Sequence, residues 1–172
     1  MDANFIDSEG KLSQAGYNTL LLLLQAVRSQ SANIPFSIWQ ELMRVGGKGV
    51  PVAIELAVVR KGMVFLCQRS KDDPCWPELW HLPGSYLGQA ENVEATCRRI
   101  GQNEIGIEIA NPVLIGGSDN PGNPRFHDFS VVYLAEDFAG EPTGGEWFKL
   151  ADEPPTNLIK EHVGLWQVVK NA

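Results

Sequence analysis

Trp80-His81-Leu82-Pro83-Gly84-Ser85-Tyr86-Leu87, followed by Glu91 and by Arg99-Ile100-Gly101-Gln102-Asn103-Glu104-Ile105-Gly106-Ile107, is the stretch that decides the fold. A short strand is expected around Trp80–Leu87. The stretch from Glu91 to Glu104 is helix-compatible, with Asn92 as an N-cap and Gly106 as a stop signal. Gly101 is expected to weaken the last turn by ~1 kcal/mol relative to Ala. A strand that feeds a glycine loop and then an acidic helix suits a metal–pyrophosphate site, because loop carbonyls and helix carboxylates can share one Mg²⁺. Positions 100, 103 and 104 share one helix face, so that face is where carboxylates are expected.

Upstream, Val52–Val59 and Met63–Gln68 are apolar, partly β-branched runs joined by Arg60-Lys61-Gly62, which predicts a hairpin. Downstream, strands are expected at Pro112–Gly116, Phe129–Ala135 and Glu146–Leu150, with Gly117–Arg125 as an irregular insert. A last helix is predicted over Asn157–Val169. Before the hairpin, Tyr17, Leu20, Leu21, Leu24 and Val27 recur at helical spacing, so Ser13–Ser29 is predicted to be an amphipathic helix. A second short helix is expected over Phe36–Val45, and Gly46, Gly47 and Gly49 make a joint. Residues 1–50 therefore form a helical lead-in to a main domain over residues 51–172. The lead-in is expected to offer a homodimer interface.

The 14 Lys and Arg against 21 Asp and Glu give a formal net charge of −7, which argues against extended nucleic acid or an anionic membrane as partner. A small anionic ligand stays open, since a metal or a few local cations offset its charge. The leucines at 20–24 fall far short of the ~20 apolar residues needed to span a bilayer. Asp2, Asp7 and Glu9 stand where a secretion signal needs positive charge. Cys67, Cys75 and Cys97 lack disulfide or zinc spacing, so a reducing cytoplasm is the expected location.

The quoted stretch resembles the signature of the Nudix hydrolases. Their box reads Gly, five residues, Glu, seven residues, Arg-Glu, apolar, any, Glu-Glu, any, Gly, apolar. It falls without gaps on Ser85, Glu91, Arg99, Ile100, Gly101, Gln102, Asn103, Glu104, Ile105, Gly106 and Ile107. Trp80–Gly84 resembles the strand leading into the box, and Glu146–Leu150 resembles the family's late strand. The resemblance implies an α/β (α+β) fold, a Nudix-type α/β/α sandwich with a mixed sheet.

This sequence departs from the box at Ser85, Ile100, Gly101 and Asn103. Isoleucine cannot ligate Mg²⁺, and asparagine offers only a neutral oxygen. A similar loss is known in the GDP-mannose mannosyl hydrolase branch, which Arg99-Ile100 and Glu104 resemble. The branch's histidine base has no counterpart here, where Thr143-Gly144-Gly145 stands, and Tyr86 stands near the place of its arginine. The resemblance implies a single Mg²⁺ (or Mn²⁺) held by Glu104, the Gly84 carbonyl and Asn103, with Glu104 and Arg99 as catalytic residues. The expected substrate is a small nucleotide derivative, a nucleoside diphosphate linked to another group, with a nucleotide sugar as the leading choice. The alternative is a Nudix-fold module that binds a ligand or protein without chemistry.

Trp80, Tyr86, Phe126 and His127 are the candidate substrate-binding residues. Aromatic core packing competes with base stacking for Trp76, Trp80 and Phe126. His127 beside Asp128 could be a proton-transfer pair or a histidine at a strand entry. Glu91 fits a second acidic patch or a helix-dipole role, and Glu94 with Arg98 an exposed ion pair. Cys97 is expected to be a small buried thiol.

Overall fold

The computed structural model describes residues 5–29, 38, 49–88 and 90–172. The chain divides into two compact units, Met1–Val45 and Gly46–Ala172. In the first, helix α1 covers Gln14–Ser29, with the Ser13 hydroxyl accepting the Gly16 N–H at 3.0 Å at its start. Its apolar residues Tyr17, Leu20, Leu21 and Leu24 are exposed. The helix expected over Phe36–Val45 lies, apart from the exposed Ile38, outside the described residues.

The second unit begins with the expected hairpin, β1 (Val52–Arg60) and β2 (Met63–Gln68). Lys61 and Gly62, at φ 54° and 73°, supply the left-handed residues that a tight hairpin with right-handed strand twist requires. The strand expected at Trp80–Leu87 is two strands, β3 (Trp80–His81) and β4 (Gly84–Tyr86), with Leu82-Pro83 between them. The break has a topological reason. β3 pairs with β2, whereas β4 turns onto β1, pairing Gly84 with Glu55. Proline has no amide to lend to a continuous ladder at that switch.

Helix α2 covers Val93–Ile105, capped by the Asn92 side chain on the Ala95 N–H and closed by Gly106 at φ 72°. Then follow β5 (Glu108–Ile109), β6 (Val113–Asn120), β7 (Asp128–Ala135), β8 (Phe138–Ala139), β9 (Gly145–Lys149) and helix α3 (Lys160–Lys170). The insert expected from Gly117 is shorter, because β6 stays paired with β7 through Asn120, past a bulge between Leu114 and Gly116. The paired strands β5 and β8 are not among the expected elements, because two residues each carry too little pattern to announce a strand.

The main sheet runs β3-β2-β1-β7-β6, with β4 beside β1 and β9 beside β2. It is mixed, as expected: β1 and β7 are parallel and their neighbours antiparallel. Alternation along β1 builds both layers. Ile54, Leu56 and Val58 join Cys97, Ile100 and Ile105 of α2 in one core cluster, while Ala57 joins Leu165, Trp166 and Val169 of α3 in the other.

Two residues of α2 differ from expectation. Ile100 does not line an open metal face; it is 0% exposed and belongs to the core. Gly101 is not merely a weak helix residue. A Cβ there would lie 2.7 Å from Ile109 Cγ1 and 3.0 Å from the Ile107 carbonyl oxygen, so its absence lets the chain return close beneath the helix.

Candidate active site

The turn after Leu82-Pro83 places Gly84 opposite Glu55 in the β1–β4 ladder. Glu55 is the one acid inside the otherwise apolar interior of β1, and it is buried. A Cβ at position 84 would collide with its carboxylate, so only glycine permits this approach. From the other side, the Gly84 N–H donates to Glu104 Oε2 at 3.2 Å. Strand and helix thus bring two carboxylates to the same glycine.

Their electrostatics differ. Burial pushes the Glu55 pKa well above the usual carboxylate range; Arg69 opposes the shift, and Glu104 and Asp128 add to it. Glu104 is exposed as a residue, yet its carboxyl end is desolvated enough to raise its pKa as well, against the pull of the Gly84 amide, Arg69 and Arg99. A buried acid with no counter-cation inside its ladder has a reason to remain there if a cation visits.

The Arg69 guanidinium acts electrostatically on both acids, and desolvation lowers its own pKa. Among the described residues its buried Nε has no hydrogen-bond partner. The guanidinium lies 5.8 Å from the Trp76 ring, over which Arg125 also sits at 4.5 Å. Arg125 pairs with Asp73 at 2.6 Å, and Asp73 Oδ1 accepts the N–H groups of Cys75 and Trp76. Arg69 therefore links the two carboxylates to the cluster of Arg125, Asp73 and Trp76.

Arg99 does not touch Glu104. Its Nε and Nη2 donate to the two oxygens of Glu91, each at 2.9 Å, while Nη1 reaches Ser85 Oγ at 3.1 Å and Nη2 the Tyr86 carbonyl at 3.0 Å. Glu91 also accepts the Gly88 N–H at 3.1 Å. This network, led by the Arg99 hydrogen bonds, pulls the Glu91 pKa down to about 2. Arg99 thus straps the glycine loop to α2. Glu94 and Arg98 form the expected exposed pair at 3.6 Å, and Cys97 is buried.

The remaining expected residues scatter around this centre. Asn103 is exposed beside Glu104. Trp80 packs edge-on against Phe148, at 5.1 Å between ring centres. Tyr86 donates its hydroxyl to Asp128 at 2.9 Å, and its ring lies 5.5 Å from buried Phe126. His127 is exposed, and its partner is Asp119 at 2.6 Å rather than Asp128. Strand alternation explains that correction: Asp128 points inward to Tyr86, Asn120 and Asn123, leaving its neighbour outside. Asp119, Ser118, Asn120, Asn123, Lys160 and Glu161 line a cavity of about 300 Å³ at the start of α3.

Sequence reasoning missed Glu55, Arg69, His81 and His162. Glu55 alone left a visible signal, as a charge within an apolar strand. Among the described residues no group of three or more His, Cys, Asp and Glu gathers as a metal site. Two carboxylates at a glycine too tight for any side chain still fit Mg²⁺, which commonly takes one or two carboxylates and completes its shell with water and substrate phosphate. No described helix is long and apolar enough to cross a membrane.

Residues 50–169 match the model of the NUDIX domain family. No curated protein matches. Among solved structures, a MutT Nudix hydrolase from Burkholderia pseudomallei is 29% identical at a TM-score of 0.60, over 72% of this chain and 98% of that one. A MutT protein from Methanosarcina mazei is 16% identical at 0.61, over 73% and 96%. The Nudix domain of Shewanella oneidensis NrtR, complexed with ADP ribose, is 20% identical at 0.58, over 74% and 90%.

Proposed function

The chain belongs to the Nudix family, and from that premise we propose that it is a hydrolase of a nucleoside diphosphate linked to another group, working with Mg²⁺ or Mn²⁺. The observation that carries this reading is the convergence of Glu55 and Glu104 on Gly84. In the proposal the two carboxylates hold the ion, with the Gly84 carbonyl and the Asn103 amide as neutral oxygen donors. The ion would supply neutralisation of the diphosphate charge and activation of the leaving group.

Arg69 and Arg125 bind phosphate oxygens, where two guanidinium forks match the geometry of the anion. Trp76 then offers a face to the nucleoside. Tyr86 and Phe126 form an adjoining wall, and Trp80 and His127 complete the proposed substrate contacts. Arg99 positions the loop rather than touching the reacting atoms. A nucleotide sugar is the favoured substrate, because the cavity beside Asp119 offers hydroxyl, amide, carboxylate and amine groups to a polyhydroxylated moiety. A homodimer in the cytoplasm, assembled through the exposed apolar residues of α1, completes the proposal.

Purified protein with Mg²⁺ or Mn²⁺ is screened against nucleotide sugars, ADP-ribose, dinucleotides and nucleoside triphosphates. A substrate is expected whose turnover drops more than about 100-fold in Glu104→Gln and in Glu55→Gln. Turnover equal in wild type and both variants would end the proposal.

A second reading, a binding module without chemistry, is favoured by the lack of a three-ligand cluster among the described residues. It expects nucleotide binding without turnover, and no Mn²⁺ binding until a carboxylate is added by Asn103→Glu. Tight Mn²⁺ binding by the unaltered chain would sink it.

A further inference from the structure

The backbone of Leu82, two residues before Gly84, is gripped at both its N–H and its carbonyl. Its N–H donates to His162 Nδ1 at 3.1 Å, and its carbonyl accepts from His81 Nδ1 at 2.7 Å. The two rings come from different elements, β3 and α3, and stand edge to face with centres 6.2 Å apart. A carbonyl only accepts, so the His81 hydrogen is on Nδ1. An amide only donates, so His162 Nδ1 carries a lone pair.

Because Nδ1 accepts the Leu82 N–H, the ring cannot be doubly protonated and is neutral. A neutral ring with a bare Nδ1 has its hydrogen on Nε2. That nitrogen faces Glu55, with Nε2 3.8 Å from Oε1 and both side chains 9% exposed. Among the described residues the Glu55 side chain accepts no hydrogen bond, and the His162 Nε2–H acts on it across 3.8 Å as a dipole rather than as a hydrogen-bond donor.

We propose that His162 is a positioning residue for the ion site: Nδ1 fixes the Leu82 peptide ahead of Gly84, and Nε2–H orients the Glu55 carboxylate toward the glycine it shares with Glu104. This rests on the reading of Glu55 and Glu104 as the ion's ligands. One ring thus couples α3 to both the loop and the strand acid. Outer-shell groups of this kind typically change metal affinity 10- to 100-fold when removed, roughly.

Two near-isosteric substitutions separate the ring's two functions. His162→Asn retains an acceptor near the Nδ1 position and loses the N–H toward Glu55. His162→Gln places an N–H near the Nε2 position and loses the Leu82 acceptor. Mn²⁺ affinity of the full chain, read by electron paramagnetic resonance, is expected to fall about tenfold or more in His162→Asn. In His162→Gln it stays within a few fold of wild type even though thermal stability drops.

Nitrogen-15 NMR of the wild type at pH 7 supplies a readout independent of both variants, with a protonated Nε2 and bare Nδ1 expected. The opposite tautomer overturns the inference. So does Mn²⁺ binding that responds to Glu55→Gln but not to His162→Asn, which would leave the ion site standing. Failure of the wild type to bind Mn²⁺ removes the ion site itself and this role with it.

Discussion

Arg99 clasps Glu91 through two parallel hydrogen bonds of 2.9 Å and uses the rest of its guanidinium to hold Ser85 and Tyr86 on the far side of the loop. Only a planar fork can serve all three partners at once. Arg99→Lys keeps the charge and loses the fork. It is expected to cost about 1–2 kcal/mol of stability, since the pair is only partly buried, and to lower any turnover roughly 10- to 100-fold. Denaturant unfolding and steady-state kinetics measure the two effects. A Lys variant as active as wild type would show that the strap has no part in presenting Gly84.

The same clasp sets a pH dependence. Glu91 titrates at about 2 in the fold, below its ordinary value of 4.5. A carboxylate with a depressed folded pKa contributes stability above its unfolded pKa and loses it as pH falls from 4.5 toward 2. The loss is expected to reach about 1–2 kcal/mol once solvent screening is allowed for. Unfolding free energies of wild type and Glu91→Gln should therefore converge as pH drops through this window. Parallel curves would contradict the assignment.

Glu55 makes the opposite demand. Its folded pKa is raised by burial, so the charged form destabilises the fold increasingly as pH rises above the ordinary carboxylate range. Glu55→Gln removes a buried charge at little cost in shape. It is expected to raise Tm at pH 8 by at least about 2 °C in the ion-free protein, with a smaller gain at pH 5. Mn²⁺ affinity should fall in the same variant. Stability gained where function is lost is what separates a site residue from a structural acid.

The fold was legible because its signals are repetitive. Val52–Val59 and Met63–Gln68 announce their strands by composition, and Asn92 and Gly106 mark the helix ends they cap. The strap was half legible: Arg99 was a candidate, but only the folded loop reveals its eight-residue reach back to Glu91. The ion site was less so. Glu104 follows from its place in the box, whereas Glu55 lies 49 residues earlier and meets it only because β4 switches partners to β1. His162 and Arg69 carry no local pattern at all. Convergence of residues so distant in sequence is a property of topology, which spacing within a motif cannot report.

Gly84 tests that convergence directly. A methyl group at this position would meet the Glu55 carboxylate, with Cδ at 2.7 Å and the Ile54 carbonyl oxygen at 2.9 Å. Gly84→Ala is expected to cost about 1–3 kcal/mol through overpacking and to weaken Mn²⁺ binding by displacing Glu55. In a Glu55→Ala background the same substitution should cost at least ~0.5 kcal/mol less, since part of the clash is gone. Additive effects in this double-mutant cycle would mean that Gly84 and Glu55 do not share the space assigned to them.

Gly101 sets helix propensity against packing. Replacing a mid-helix glycine by alanine normally stabilises by ~1 kcal/mol. Here the added Cβ would come within 2.7 Å of Ile109 Cγ1 and 3.0 Å of the Ile107 carbonyl oxygen. Ile109 is buried, and the Gly101 carbonyl accepts the N–H groups that close the helix, so neither neighbour can retreat freely. Overpacking of this kind costs about 1–3 kcal/mol, enough to cancel or exceed the propensity gain. Gly101→Ala should therefore destabilise, and combining it with Ile109→Ala should recover the propensity term relative to Ile109→Ala alone. Chemical denaturation of the four proteins decides the sign, and a stabilised single variant would mean that the chain beneath the helix is free to move away.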